Sequence, residues 1–294
     1  MIVAGRTVPD TFPQTLASLA SQPPGSILEV LLADGSAGGQ MAGAGERLPG
    51  GQRLALPGAN LPALKGAAIR RARGELVAII DPSDAAAPDW ASEIARAFED
   101  PSVTAAGGVV ELAGSREAGN VAAYLFEYGA FNPPLVAGDT AGDLPGNNVA
   151  YRRSALVETC ADLLEAEGFN KPFFHERLRQ SGGRLVIWPG MRVQHLTSYR
   201  LAAFGARRFH YGRCFGAVRV RRAALLDRAK YRVGAPLVAP LLISRHLGRA
   251  ARHPENRRLL PGAALALCAV CACWGVGEWL GYWFGAGRSC QELY

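Results

Sequence analysis

Short apolar blocks alternate with stretches of helical period along the first hundred residues. Ile2–Ala4 is apolar and reads as the end of a strand. Pro13 to Ser21 sets Leu16, Leu19 and Ala20 on one helical face, with Pro13 in the first turn, where its missing N–H costs nothing. Leu28–Ala33 is a second strand that stops at Asp34-Gly35-Ser36, and a glycine-rich loop follows. Arg53–Leu56 predicts a third strand and Leu61–Ala72 a helix. Leu76–Ile80 is an unbroken apolar run ending at Asp81-Pro82-Ser83-Asp84, the pattern of a strand buried on both faces. Pro88-Asp89-Trp90 opens a helix to about Glu99, and Val103–Val110 is a further strand.

This alternation predicts an α/β fold, a mostly parallel sheet flanked by helices. Ligands of such sheets bind at the carboxyl ends of the strands, where Asp34 and Asp81 fall. Each acid also has a plainer reading, as the cap of a local turn. Residues Glu117 to Asn148 are less regular, and Leu144–Arg153 reads as a loop entering a strand. Lys171–Ser181 is helical, Arg184–Trp188 a short strand, and Pro189 to His195 a turn.

Charge changes the picture after residue 204. Gly205–Arg258 carries fourteen Lys/Arg against Asp227 and Glu255, a net +12 in a chain of +7, so the remainder is net −5. A uniformly basic surface would point to nucleic acid. A basic block just before an apolar run points instead to anionic lipid headgroups. That run, Leu259 to Gly287, has 29 residues and one charge, Glu278. It exceeds the roughly 20 residues a spanning helix needs. Trp274, Trp279, Tyr282 and Trp283 suit an interface, and Gly275, Gly277, Gly281 and Gly285 suit close helix packing. Val233–Ser244 has only 12 residues and two prolines, which favours a re-entrant or interfacial segment over a second span. The expected organisation is a catalytic domain over 1–204, a basic interfacial segment over 205–258 and a transmembrane helix over 259–287. Cys160, Cys214, Cys268, Cys271, Cys273 and Cys290 show no disulfide framework. Cys268, Cys271 and Cys273 lie in the apolar run with no fourth ligand nearby, so they read as small apolar thiols rather than a metal site. With no disulfide framework and no signal peptide in view, the catalytic part is expected on the cytoplasmic side of the cell membrane.

Several segments resemble the family 2 glycosyltransferases of GT-A fold. Glu29–Ser36 is similar to that family's nucleotide-binding strand, with Gly35 where a second acid is usual. Ala72–Asp81 resembles the approach to its Asp-x-Asp motif, with Ser83 at the second acid and Asp84 adjacent. Gly146–Arg153 resembles its acceptor-side segment, and Val193-Gln194-His195 its late strand. The resemblance implies transfer of a sugar, with inversion, from a nucleotide-sugar donor to a lipid-linked or polysaccharide acceptor, while the uneven charge leads to the expectation of no nucleic-acid partner. It implies donor binding by Asp34, Lys65 and Asp81, an acceptor-side Asn148, and a divalent metal (Mg or Mn) on Asp81, Asp84 and His195. Glu176, with His175 beside it, is the expected carboxylate base. Departures at Gly35, Ser83 and around His175 leave open a non-catalytic binding or scaffold protein on the same fold.

Overall fold

The computed structural model describes residues 1–139 and 143–293. Its elements in chain order are β1 (Ile2–Gly5), α1 (Phe12–Ala20), β2 (Leu31–Asp34), β3 (Gln52–Ala55), α2 (Leu61–Arg71), β4 (Leu76–Ile80), β5 (Asp84–Ala86), α3 (Trp90–Ala97), β6 (Val103–Leu112), α4 (Ala118–Glu127), β7 (Gly138–Asp139), β8 (Asn148–Arg152), α5 (Ala161–Glu167), α6 (Lys171–Gln180), β9 (Arg184–His195), α7 (Leu201–Arg222), α8 (Leu225–Gly234), α9 (Val238–Arg252) and α10 (Pro254–Phe284). They fall into two units. One holds Met1–Ala113 and Phe131–Thr197, the other Gly114–Ala130 and Ser198–Leu293.

The first unit is built on a nine-stranded sheet of order β3-β2-β1-β4-β8-β6-β9-β5, with β7 on β9. Strands β3, β2, β1 and β4 are mutually parallel, as the strand–helix alternation predicts. Beyond β4 the sheet is mixed rather than mostly parallel. β8 runs antiparallel to both β4 and β6, and β5 and β7 run antiparallel to β9. The cause is the irregular stretch before β8, where no crossover helix within this unit dictates direction. The apolar run of β4 is buried at Val77, Ala78, Ile79 and Ile80, and each large side chain there contributes roughly 1.5–3 kcal/mol. Helix α2 starts at Asn60, whose side chain accepts from Ala63 N at 3.0 Å, and Pro62 sits in its first turn. The expected turn from Pro189 to His195 is instead the second half of β9. A register shift where Gly107–Val109 passes Ile187–Arg192 lets the strand bend around Pro189 and resume pairing.

The second unit is helical. Residues 205–258, expected as an interfacial segment, form most of α7, all of α8 and α9, and the start of α10. Helices α7 and α10 meet backbone to backbone through two Gly-x-x-x-Gly pairs. A Cβ at Gly212 or Gly216 would lie 2.3 Å from Trp274 O or 2.5 Å from Glu278 O. One at Gly277 or Gly281 would lie 2.1 Å from Phe209 O or 2.3 Å from Arg213 O. Gly275 meets Ala239 of α9 in the same way, whereas Gly285 ends the helix at φ 73°, where a Cβ would meet nothing within 4 Å. Glu278 is buried but partnered: it accepts from Trp274 Nε1 at 2.8 Å and from the Tyr282 hydroxyl, with Arg219 at 3.7 Å. Trp274 and Tyr282 therefore face inward, and Trp279 and Trp283 face out. Cys214 and Cys290 form a disulfide, which corrects the expectation of no disulfide framework. Their separation of 76 residues hides the pairing from sequence.

α10 is long and apolar enough to cross a membrane by length and composition. Its outward face runs through Leu265, Ala269, Val276, Trp279 and Trp283 at helical spacing, an uncovered apolar stripe.

Candidate functional site

The site is assembled where the parallel strands end. Antiparallel pairing of β4 with β8 sets Asn148 opposite Ile80, so Asn147 falls beside the Asp81–Asp84 turn. Pairing of β5 with β9 sets His195 opposite Asp84. The turn is closed by Asp84 N donating to Asp81 O at 3.1 Å, and Leu196 N holds Ser83 O at 2.9 Å. Three segments far apart in sequence thus converge at the carboxyl end of β4.

Asp84 is fully buried. Its Oδ1 lies 2.6 Å from His195 Nδ1, and its Oδ2 accepts from Asn147 Nδ2 at 2.8 Å. Burial raises the pKa of this carboxyl, and His195 and Asn147 oppose the rise. Asp81 is less enclosed, and Lys65 Nζ, reaching across from α2, donates to its Oδ1 at 3.0 Å.

Asp34 closes β2 and is also fully buried. One oxygen accepts from Ser36 N at 3.0 Å and Ser36 Oγ at 2.5 Å, the other from Met41 N at 3.1 Å and Arg53 Nε at 2.8 Å. Burial works against its charge, but these donors outweigh it and hold the carboxyl below its ordinary range. Asp34 therefore organises the Ser36–Met41 loop. A second acid at Gly35 would have to push its neighbours aside: a Cβ would lie 2.8 Å from Leu64 Cδ1 and 3.1 Å from Ala59 O.

Two expected site residues lie elsewhere. Asn148 is spent as a clamp within the sheet, accepting from Trp90 Nε1 at 2.8 Å and donating to Val109 O at 2.8 Å and Met191 O at 2.9 Å. Its neighbour Asn147 is the one that meets Asp84. Glu176 is exposed on α6 and makes no ion pair or hydrogen bond among the described residues. The adjacent His175 turns inward, because one residue rotates a helix by about 100°. It is buried, its Nε2 lies 2.7 Å from the Tyr151 hydroxyl, and its Nδ1 meets Asp143. Burial lowers the His175 pKa, so the neutral ring donates from Nδ1 and accepts from Tyr151.

Asp143 is the residue that sequence reasoning missed. Half-exposed, it is gripped by His175 and by Lys171 Nζ at 2.5 Å. Burial works against its charge, but His175 and Lys171 hold its carboxyl well below the usual range. It precedes Asn147 by four residues, so their Cα atoms are at most about 14 Å apart.

The side chains expected to hold a divalent cation are not arranged as a ligand set for one. Both oxygens of Asp84 and the Nδ1 of His195 are bonded to each other or to Asn147, and Ser83 stands where the second acid would be. Among the described residues no three His, Cys, Asp or Glu side chains converge as a ligand set.

Residues 2–159 match the model of glycosyl transferase family 2, and the chain belongs to that family. Its GT-A fold is shared with solved structures of low sequence identity. The mannosyltransferase PcManGT of Pyrobaculum calidifontis, in complex with GDP-Man and Mn2+, is 19% identical with a TM-score of 0.52, the match covering 99% of this chain and 83% of that one. S. aureus TarS 1-349 in complex with UDP-GlcNAc is 14% identical with a TM-score of 0.52, covering 100% and 91%. GalNAc-T7 with UDP, GalNAc and Mn2+ is 14% identical with a TM-score of 0.52; the match covers 68% of this chain but only 44% of that chain. No curated protein sequence matches the chain significantly.

Proposed function

We propose that the chain transfers a sugar, with inversion, from a nucleotide-sugar donor to a lipid-linked or polysaccharide acceptor at a membrane. The observation that carries this reading is the convergence of the Asp81–Asp84 turn, Asn147, His195 and Lys65 at the carboxyl end of β4 in a family 2 chain. The Ser36–Met41 loop, fixed by Asp34, receives the nucleoside, and the diphosphate lies toward Lys65 and Asp81. Donors of the kind bound by the structural neighbours, UDP- or GDP-sugars, suit this arrangement.

Asp143 takes the role expected of Glu176. Kept ionised by His175 and Lys171, it is a weak base that takes the acceptor hydroxyl's proton late, as the hydroxyl oxygen bonds to the anomeric carbon and the bond from that carbon to the phosphate oxygen breaks. The nucleoside diphosphate leaves with the bonding electrons. His175 and Lys171 orient the carboxylate, and the neutral Tyr151–His175 pair behind it fixes the ring. Nucleoside diphosphate release is followed across a panel of nucleotide sugars and acceptor extracts with the full chain. Donor-dependent release supports transfer. Nucleotide-sugar binding without release across the whole panel favours the scaffold reading instead. Asp143→Asn is expected to lower turnover by a factor of about 100 or more while leaving donor affinity within about threefold, because a base acts on the reacting proton and not on the donor.

The stripe on α10 and the exposed Leu225, Leu226, Leu237 and Leu241 form the membrane contact, with arginines of 205–258 meeting anionic headgroups. The donor site then works from the cytoplasmic face. Flotation with phosphatidylglycerol vesicles is expected to carry the wild-type chain to the lipid layer and to leave Leu265→Glu/Trp279→Glu behind. Equal flotation of both would remove α10 from the membrane contact.

A further inference from the structure

We infer that Lys65, rather than a carboxylate-held divalent cation, supplies the positive charge that meets the donor diphosphate. This rests on the proposed donor site and specifies how that site handles charge. Lys65 lies on α2 with little of its surface exposed, 7%. Burying an ammonium is costly unless it is paired, and its partner is Asp81 at 3.0 Å. An ammonium carries three N–H donors. One is directed at Asp81 Oδ1, and among the described residues the other two meet no acceptor. Two unspent donors on an enclosed cation, at the carboxyl ends of parallel strands, are what a diphosphate needs.

The carboxylates point the same way. A divalent ion bridging a diphosphate needs acid oxygens turned toward the ligand. In this chain the second acid of the motif is Ser83. Asp84 is buried, with both oxygens committed to His195 and Asn147. Asp81 alone is partly open, and it already faces a cation. The Asp81–Lys65 pair therefore occupies the electrostatic place of a metal: a carboxylate at the end of β4 fixes a positive charge at the leaving-group position.

Calorimetric titration with UDP and with GDP, in EDTA and again in Mn2+, tests this on the full-length wild-type chain. One nucleotide is expected to bind in EDTA with an affinity within about threefold of that in Mn2+, since no metal ligand is being filled. Lys65→Met is expected to weaken binding at least about tenfold in both buffers, the size of one lost charge-assisted bond, and Lys65→Arg to restore most of it. Binding that vanishes in EDTA, returns with Mn2+ and is indifferent to Lys65→Met overturns the inference but leaves the donor site standing. No binding of either nucleotide in either buffer overturns both. The wild-type comparison of buffers decides the matter even if Lys65→Met fails to fold.

Discussion

Asp34→Ala is expected to destabilise the first unit by roughly 2–4 kcal/mol, because it removes a buried carboxylate and leaves the buried Ser36 and Met41 amides without their acceptor. The carboxylate is wholly buried and takes bonds from Ser36 N, Ser36 Oγ, Met41 N and Arg53 Nε. For a unit of this size that cost corresponds to a melting shift on the order of 10 °C. Hydrogen exchange at the Ser36 and Met41 amides locates the damage, since both lose their acceptor. The pH dependence follows from the direction of the shift. The folded pKa of Asp34 lies below its unfolded value, so its stabilisation is complete above the ordinary carboxylate range near pH 4 and is lost as pH falls through the folded pKa. The gap between wild type and Asp34→Asn should therefore be flat from neutral pH down to about pH 4 and close below it. Equal stability of the two at neutral pH would mean that Asp34 does not hold the loop.

The parts of this molecule legible in sequence are those encoded locally. The run Leu76–Ile80 and the punctuation at Asp81-Pro82 mark β4 and its end to the residue, because burial on both faces demands unbroken apolar side chains. Asp34, Asp81, Asp84 and His195 fall at or just beyond strand ends, where the strand reading places them, except that His195 ends a longer strand than expected. What sequence does not carry is pairing between distant segments. Asn147 immediately precedes β8 and Asn148 opens it, and only the antiparallel register with β4 decides that the first meets Asp84 and the second clamps the sheet. Asp143 sits in an irregular stretch, 28 residues from Lys171 and 32 from His175, with no local pattern linking them. Glu176 reads as a base because an acid follows a histidine on a helix. The helical rotation that buries His175 turns Glu176 to solvent. α4 is hidden for a related reason: its apolar face is covered by residues of α7 and α10, which begin 74 positions or more after it ends.

Close approach of α7 and α10 predicts the other large effect, and glycine position makes it specific. A Cβ at residue 277 would stand 2.1 Å from Phe209 O and 3.0 Å from Arg213 N. Both atoms belong to backbone, so neither can swing aside, and the helices must separate or shift in register. Gly277→Val is therefore expected to cost about 3 kcal/mol or more, the upper end of overpacking. Separation also exposes Glu278, whose partners Trp274 and Tyr282 stay on its own helix while Arg219 leaves with α7. Gly262 lies on the same helix, and a Cβ added there would meet nothing within 4 Å. Gly262→Ala should stabilise α10 by about 1 kcal/mol through helix propensity alone. Thermal unfolding in mild detergent, with limited proteolysis of the α7–α8 corner, reads both variants in one host. Opposite signs identify backbone contact as what joins the two helices. If Gly277→Val melts with wild type, the pair is held by its side chains, and the four glycines merely permit an approach that the helices do not require.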